Sequence, residues 1–357
     1  MIPDSWFAAL VEADKRSLKQ LEKQFGAEAA RWASQQIELR KKAQAKFANA
    51  KEMLFDREAL EQSTHEAIAT YHASCFPFNA DIVDITTGIG GDLRAFAKIG
   101  KPIGFELDPM RAEYARHNCP EATVQIEDGL EFVQQNPTPY IWADPDRRDS
   151  TGRRLIDPSQ YQPNPFDIPR DRELTGIKLS PLVQDEFLEE VGQRIEFVSY
   201  KGECREAIAW SGKLVQPGFF AVDAETHAVL PRREIEDQVD QPYEFIFDCD
   251  PAATRAHALG NFDMPQLGDS PGYLTGSDYR SPWLAGYEVL DHGSFDVKRI
   301  KESLRKNGWR VFEVKQRAAG LDPTTVIKQL KAEGEPVSLI AWKVDKSIRY
   351  ALVKRAL

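Results

Sequence analysis

The chain has 357 residues, which is a length of about two domains, and its 42% hydrophobic content supports buried cores and excludes a disordered chain. It contains no run of eighteen apolar residues and no basic-then-apolar start, so neither a membrane span nor a signal peptide is expected. A net charge of −10 excludes a protein that binds nucleic acid over its whole surface, and four well-separated cysteines (Cys75, Cys119, Cys204, Cys249) point to reduced thiols in a cytoplasm, with no disulfide framework or zinc site.

Residues 1–79 read as helices. Leu18, Leu21, Phe25, Ala29 and Trp32 recur at spacings of three and four, the period of an amphipathic helix. Asp56 and Ser63 are plausible helix caps. The basic run Arg40, Lys41, Lys42 and Lys46 reads either as a solvated face or as a contact for RNA. His65 and His72 are seven apart with no third ligand beside them. They read as surface or packing residues, and no metal is expected.

From residue 80 to 145 short strands and helices alternate. Ile82 to Ile85 is an apolar, β-branched strand. Gly88, Gly90 and Gly91 form a turn, and Asp92 opens a helix from Leu93 to Ile99. Strands follow at 102–106, 123–126 and 139–143, with helices at 109–118 and 129–134, the first of these opened by Asp108-Pro109. Repeated strand-helix units predict an α/β fold with a mainly parallel, doubly wound sheet. A Pro-rich loop covers 150–173. Further strands are expected at 177–179 and 194–200, with a helix at 182–191 and a last pair of strands at 207–210 and 219–222.

A charged stretch, 225–242, reads as a linker. Beyond it a smaller α+β module is expected, with a strand at 243–247, a short helix to Leu259 and a loop over 260–282. Strands follow at 286–291, 309–315, 337–342 and 348–353, with helices at 296–307 and 323–333. From Arg280 onward there are 16 Lys and Arg against 9 Asp and Glu, a surplus of seven that leaves −17 on residues 1–279. A basic terminal module on an acidic body suggests either local contact with a polyanion or a solvated charged surface.

Ligands of such sheets bind beyond the carboxyl ends of the strands. Acidic residues fall there four times, at Asp84, Glu106, Asp128 and Asp144. The turn lacks the third glycine of a dinucleotide fingerprint, since Leu93 stands in its place. An acidic residue just before the turn disfavours phosphate and favours a cation, and S-adenosylmethionine carries an ammonium and a sulfonium. Glu106 is placed to accept both ribose hydroxyls, and Asp128 to accept the adenine amine or to cap its helix. Asp144 stands where a transferred group would meet its acceptor.

The stretches Asp84 to Asp92, Gly104 to Pro109 and Ala143 to Arg148 resemble those of class I S-adenosylmethionine-dependent methyltransferases. Among these the chain is similar to the bacterial group with a C-terminal THUMP-like domain, including its stretches 287–290, 314–317 and 321–323. The resemblance implies a helical N-terminal region (1–79), a Rossmann-like methyltransferase domain (80–230), and a linker with a THUMP-like domain (231–357). It implies that Asp84, Gly88 and Gly90 line the methionine end of the cofactor, with Thr86 and Gly91 in the same turn. Glu106 and Leu107 are expected at the ribose, and Asp128 and Gly129 at the adenine. Asp144, Pro145, Asp146 and Arg147 form the expected catalytic motif.

That motif lacks the second proline and stacking aromatic used on exocyclic amines of bases. Arg147 and Arg148 then either hold a phosphate or pair with Asp144, Asp146 or Asp149. The resulting expectation is methyl transfer to a nitrogen or carbon of RNA. The alternatives are a small-molecule or protein acceptor, or a cofactor-binding protein without catalysis.

Overall fold

The computed structural model describes residues 2–148, 151–277 and 279–356. The chain forms two compact units. One is built from residues up to Glu196 with Glu206–Pro217 and Asp223–His227, and the other from Phe197–Arg205, Gly218–Val222 and the chain from Ala228 onward.

The first unit opens with five helices: α1 (Asp4–Ala13), α2 (Leu18–Phe25), α3 (Ala27–Ala43), α4 (Arg57–Gln62) and α5 (Glu66–Ser74). The periodic stretch from Leu18 to Trp32 is two helices, because Gly26 at φ +88° turns the chain between them. Asp56 caps α4 as expected, accepting from the Ala59 N–H. Ser63 closes α4, and it is the His65 ring that caps α5 by accepting from the Ala67 N–H. The basic run is partly structural. Lys46 Nζ donates to the carbonyls of Leu60, Glu61 and Ser63 around the end of α4, and Arg40 Nε donates to Met53 O.

The α/β part follows as β1 (Ile82–Asp84), α6 (Leu93–Phe96), β2 (Ile103–Phe105), α7 (Pro109–Asn118), β3 (Thr123–Gln125), α8 (Gly129–Gln135), β4 (Tyr140–Ala143), β5 (Leu174–Leu179), α9 (Asp185–Val191), β6 (Arg194–Tyr200), β7 (Glu203–Ser211) and β8 (Gly218–Asp223). The sheet of the first unit runs β3-β2-β1-β4-β5-β7 and is parallel except for β7, which is antiparallel to β5. This is the expected α/β class. Two local readings change. α6 is only one turn long, and β7 and β8, expected to pair with each other, are not neighbours.

The second unit continues with β9 (Val229–Pro231), β10 (Gln238–Val239), β11 (Phe245–Cys249), α10 (Pro251–Arg255), β12 (Gln266–Leu267), β13 (Tyr273–Gly276), β14 (Leu284–Ser294), α11 (Val297–Asn307), β15 (Trp309–Arg317), α12 (Pro323–Gln329), β16 (Glu335–Val344) and β17 (Ser347–Arg355). Eight of these strands form one sheet in the order β10-β12-β13-β11-β14-β17-β16-β15. β12 and β13 fall within the stretch read as loop 260–282. Asp296 caps α11 and Gly308, at φ +66°, ends it. α11 buries Ile300 and Leu304 and leaves Lys298, Arg299, Arg305 and Lys306 exposed.

The N-terminal helices share one core with the start of the α/β part. Trp32, Phe47, Leu54 and Phe55 pack with Ile89 of the glycine turn and Tyr114 of α7, and Trp32 Nε1 donates to Tyr114 Oη at 2.8 Å. Asn118 ends α7 and fixes the junction. Its Oδ1 accepts from the Leu54 N–H at 2.7 Å, and its Nδ2 donates to Leu54 O and Ile89 O, both at 2.9 Å. Asn118→Leu would keep the volume and strand three buried backbone groups. A loss of about 3 kcal/mol is expected from the unmade hydrogen bonds, visible as a lower urea midpoint. An unchanged midpoint would show that the junction does not depend on this side chain.

Candidate active site

The site begins where β1 ends. The chain beyond Asp84 stays tied to both neighbouring strands, since the Ile85 N–H donates to Trp142 O and the Thr87 N–H to Phe105 O. Gly88 and Gly90 then take left-handed conformations, at φ +56° and +86°. The glycines differ in what surrounds them. A Cβ on Gly88 would meet nothing within 4 Å, so this part of the turn faces open space. Gly90 packs against Ala115 of α7, and Gly91 against Ser63 and Thr64.

Sheet order places the four acidic residues at or just beyond the carboxyl ends of adjacent strands β3, β2, β1 and β4. The carboxyls of Asp84 and Glu106 are both held by backbone donors. Asp84 is buried, and its Oδ1 accepts from the Thr86 N–H at 3.1 Å. Burial, reinforced by nearby Asp92, pushes the Asp84 carboxyl well above the usual range. Glu106 accepts from the Gly88 N–H through Oε2 at 2.9 Å and from the Asp108 N–H through Oε1 at 2.8 Å. Burial raises Glu106 against these two bonds. Each of its oxygens keeps a second acceptor position.

Asp128 is exposed, and its Oδ1 caps α8 by accepting from the N–H groups of Leu130 and Glu131. Gly129 is buried, and a Cβ there would lie 2.7 Å from the backbone of Ile85, so its small size sets the approach of α8 to β1. Leu107 beyond β2 is 68% exposed and Ile126 beyond β3 is 42% exposed. Both lie just past the ends of adjacent strands, which stay joined where the Glu106 N–H donates to Gln125 O, and they give this edge an exposed apolar rim. Ile126 is not among the residues the sequence singles out. Its only signal is an apolar side chain one residue past a strand end.

Thr86 joins this half of the site to the other, its Oγ1 accepting from the Asp144 N–H at 2.6 Å. The Asp144 carboxylate accepts from Lys178 Nζ of β5 at 2.7 Å. Behind Lys178 lies a closed ring of buried polar groups. Lys178 Nζ donates to Thr64 Oγ1 at 3.0 Å, and Thr64 Oγ1 donates to Asp92 at 2.8 Å. Asp92 bonds His72 Nδ1 at 2.8 Å, His72 Nε2 bonds Glu206 of β7, and Glu206 returns to Lys178 at 3.9 Å. The Trp142 ring lies 4.4 Å from the His72 ring.

The ring charges itself. Burial works against a proton on His72, but the carboxylates of Glu206 and Asp92 prevail and raise it to about 9. Lys178 is likewise raised, by Asp144, Glu206 and Asp92 against burial. Burial raises the Asp144 carboxyl, with Asp92 adding to it, and Lys178 and Arg147 only partly offset this. His72, read from sequence as a surface or packing residue, is a fully buried member of the ring. Asp92, read as a helix opener, turns its side chain to His72 and Thr64 and makes no cap hydrogen bond. Lys178 is the single charge of its strand, which was the signal available in the sequence, whereas Glu206 follows Glu203 and Arg205 in β7 and carries no such mark.

Pro145 is buried. Asp146 pairs through its backbone with Gln162, and its carboxylate accepts from the Arg148 N–H at 3.1 Å. Arg147 Nη1 is buried and has no hydrogen-bond partner among the described residues. Arg148 Nη1 reaches Gly152 O at 3.4 Å. Asp149, one of the expected ion-pair partners, lies outside the described residues. No group of three or more side chains suited to a metal ion occurs among the described residues, and no described helix is long and apolar enough to cross a membrane.

Comparison with known proteins bears on the family and the fold. Residues 284–355 match the family model described as THUMP domain-like. Over 340 residues the chain is 29% identical to an uncharacterized S-adenosylmethionine-dependent methyltransferase of Mycobacterium tuberculosis, found in strains CDC 1551 and H37Rv, covering 88% of this chain and 92% of the relative. A crystal structure of a presumed methyltransferase from Porphyromonas gingivalis W83 superposes over the whole of both chains with a TM-score of 0.82 at 18% identity, a likeness of fold. The chain carries a C-terminal THUMP-like domain and is similar along most of its length to S-adenosylmethionine-dependent methyltransferases.

Proposed function

We propose that this enzyme transfers a methyl group from S-adenosylmethionine to RNA in the cytoplasm. The methyltransferase assignment rests on the four carboxyls at adjacent strand ends around an open glycine turn. The RNA reading rests on the THUMP-like domain and on the exposed basic residues of α11.

The residues suit the cofactor. Asp84, Thr86, Gly88, Gly90 and Gly91 make an acidic turn whose open side at Gly88 leaves room for a ligand against the main chain. The free acceptor positions of Glu106 suit two hydroxyls, and the rim of Leu107 and Ile126 suits a flat ring. Asp128 would accept from the ring amine through Oδ2 while Oδ1 caps α8, and Gly129 holds α8 close. When bound, S-adenosylmethionine supplies a methyl group made electrophilic by its sulfonium. Asp144 orients the acceptor, Pro145 and Asp146 fix the loop, and the Arg147 guanidinium is the contact for substrate phosphate. Residues 1–79, 80–230 and 231–357 act as helical cover, methyltransferase domain and RNA-gripping module.

Labelled methyl should pass from S-adenosylmethionine to total RNA, and RNA affinity should fall steeply between 50 and 200 mM salt, as it does when phosphates are neutralised. Replacing Lys298 and Arg305 by Ala should flatten that slope. Label that appears only in protein or small molecules would favour the other acceptor classes. Glu106→Gln should weaken S-adenosylhomocysteine binding in calorimetry by roughly ten-fold, the worth of one charged hydrogen bond. Unchanged affinity would remove Glu106 from the ribose role.

The protonated His72 also sets a pH dependence. Its folded-state value near 9 exceeds the ordinary 6.5, so its contribution is complete below about pH 6.5 and is lost as pH rises through 9. The shift corresponds to on the order of 3 kcal/mol. Thermal melts should therefore show stability falling between pH 7 and 9.5, with the slope largely absent in His72→Gln. An equal slope in both proteins would contradict a charged His72.

A further inference from the structure

The closed ring of Thr64, Lys178, Glu206, His72 and Asp92 reaches the strand ends through the hydrogen bond from Lys178 to Asp144. Exposure follows the same direction. The side chains of His72, Glu206 and Lys178 are 0%, 4% and 7% exposed, and that of Asp144 is 25% exposed. Lys178 holds Oδ2 of Asp144, and no hydrogen bond among the described residues engages Oδ1. The site thus presents a carboxylate with one oxygen held by a buried ammonium and one oxygen open.

Acceptor classes ask for different equipment. A base nitrogen already has a lone pair, and it needs a flat slot that stacks the ring and aims that pair. After Asp144 come Pro145, Asp146, Arg147 and Arg148, with no aromatic among them. A carbon acceptor on a pyrimidine needs a thiolate to activate the ring. Burial raises the thiols of Cys75, Cys119 and Cys249 and keeps them protonated, and Cys204, the fourth, belongs to the second compact unit. An alcohol instead carries a proton that must leave as the oxygen is methylated. It needs a carboxylate to take that proton and a fixed positive charge near the developing oxyanion.

We infer that the acceptor is a hydroxyl oxygen, the ribose 2′-hydroxyl of RNA, with Asp144 as its base and Lys178 as the positioning residue that orients Asp144. This rests on the RNA reading above and names the acceptor class of the same site. In the step, the hydroxyl oxygen forms the new O–CH3 bond while the C–S bond of the donor breaks, its electron pair going to sulfur. The hydroxyl proton passes to Asp144 Oδ1. The ring keeps Lys178 charged, because Glu206 and Asp92 raise it beside Asp144 against the cost of burial. A nitrogen or carbon acceptor, the expectation from sequence, does not use this arrangement.

The test uses the full chain, labelled S-adenosylmethionine and total RNA from cells lacking its gene. A 2′-O-methyl group blocks alkaline cleavage of the adjoining phosphodiester. Label is therefore expected in alkali-stable dinucleotides. Asp144→Asn should lower transfer at least 100-fold, while the affinities for RNA without cofactor and for S-adenosylhomocysteine stay within two-fold, which also reports the fold intact. Lys178→Arg should retain part of the activity and Lys178→Met should lose it. Label in mononucleotides would mean base methylation and would overturn the hydroxyl assignment while leaving RNA methylation standing. No label in RNA would overturn the RNA reading itself, and full activity in Asp144→Asn would remove Asp144 as the base.

Discussion

The buried ring around His72 is the constraint on which the catalytic half of the first unit depends. Thr64 precedes α5, His72 lies on α5, Asp92 ends the glycine turn, Lys178 sits on β5 and Glu206 on β7. Five separate segments therefore meet through charged or polar side chains that are nearly sealed from water. Burying such groups is costly, and removing one leaves its partner uncompensated, a penalty of about 3–5 kcal/mol for a buried pair. Apolar packing of similar volume would stabilise at lower cost. What an apolar core cannot do is hold an ammonium against a carboxylate at the mouth of a site. The ring makes sense as a charge placed deliberately behind Asp144.

The same economy governs the cofactor half. The turn after β1 lies between two strands whose carbonyls accept from Ile85 and Thr87, so its path is fixed before any glycine is considered. Glu106 then ties the turn to β2 through the Gly88 N–H, and Thr86 ties it to β4 through the Asp144 N–H. Both bonds join residues that would meet ligand. Rigidity in the unliganded site lowers the ordering cost of binding. The N-terminal helices contribute through Asn118 and Ile89, which bring the helical core directly under the turn.

Much of this was readable in the sequence, and the reason is local. A strand, a tight turn and a capped helix each carry their signal within about ten residues, as Asp108-Pro109 does for α7. The strand-end carboxylates followed because parallel strands fix where their ends lie. What escaped was non-local. His72 and Glu206 are 134 residues apart, and neither has a neighbour in sequence that marks it. Lys178 sits in a strand whose other members are apolar or small, and a lone Lys there predicts burial without naming its partner. β12 and β13 were missed because Gly- and Pro-rich surroundings masked strands that pair with each other and, through β13, with β11.

The two cations of the ring are also not equivalent, which bears on what each can do. His72 is held on both ring nitrogens and is stacked near Trp142, with no route to solvent through its own side chain. Lys178 donates to groups on two sides, Thr64 inside the ring and Asp144 at its edge. A proton arriving on Asp144 changes the charge that Lys178 faces, while Glu206 stands 3.9 Å from the same ammonium on its other side. His72 keeps Glu206 in place there. The histidine thus acts on the carboxylate that faces the lysine, and a buried imidazolium serves the site without touching substrate.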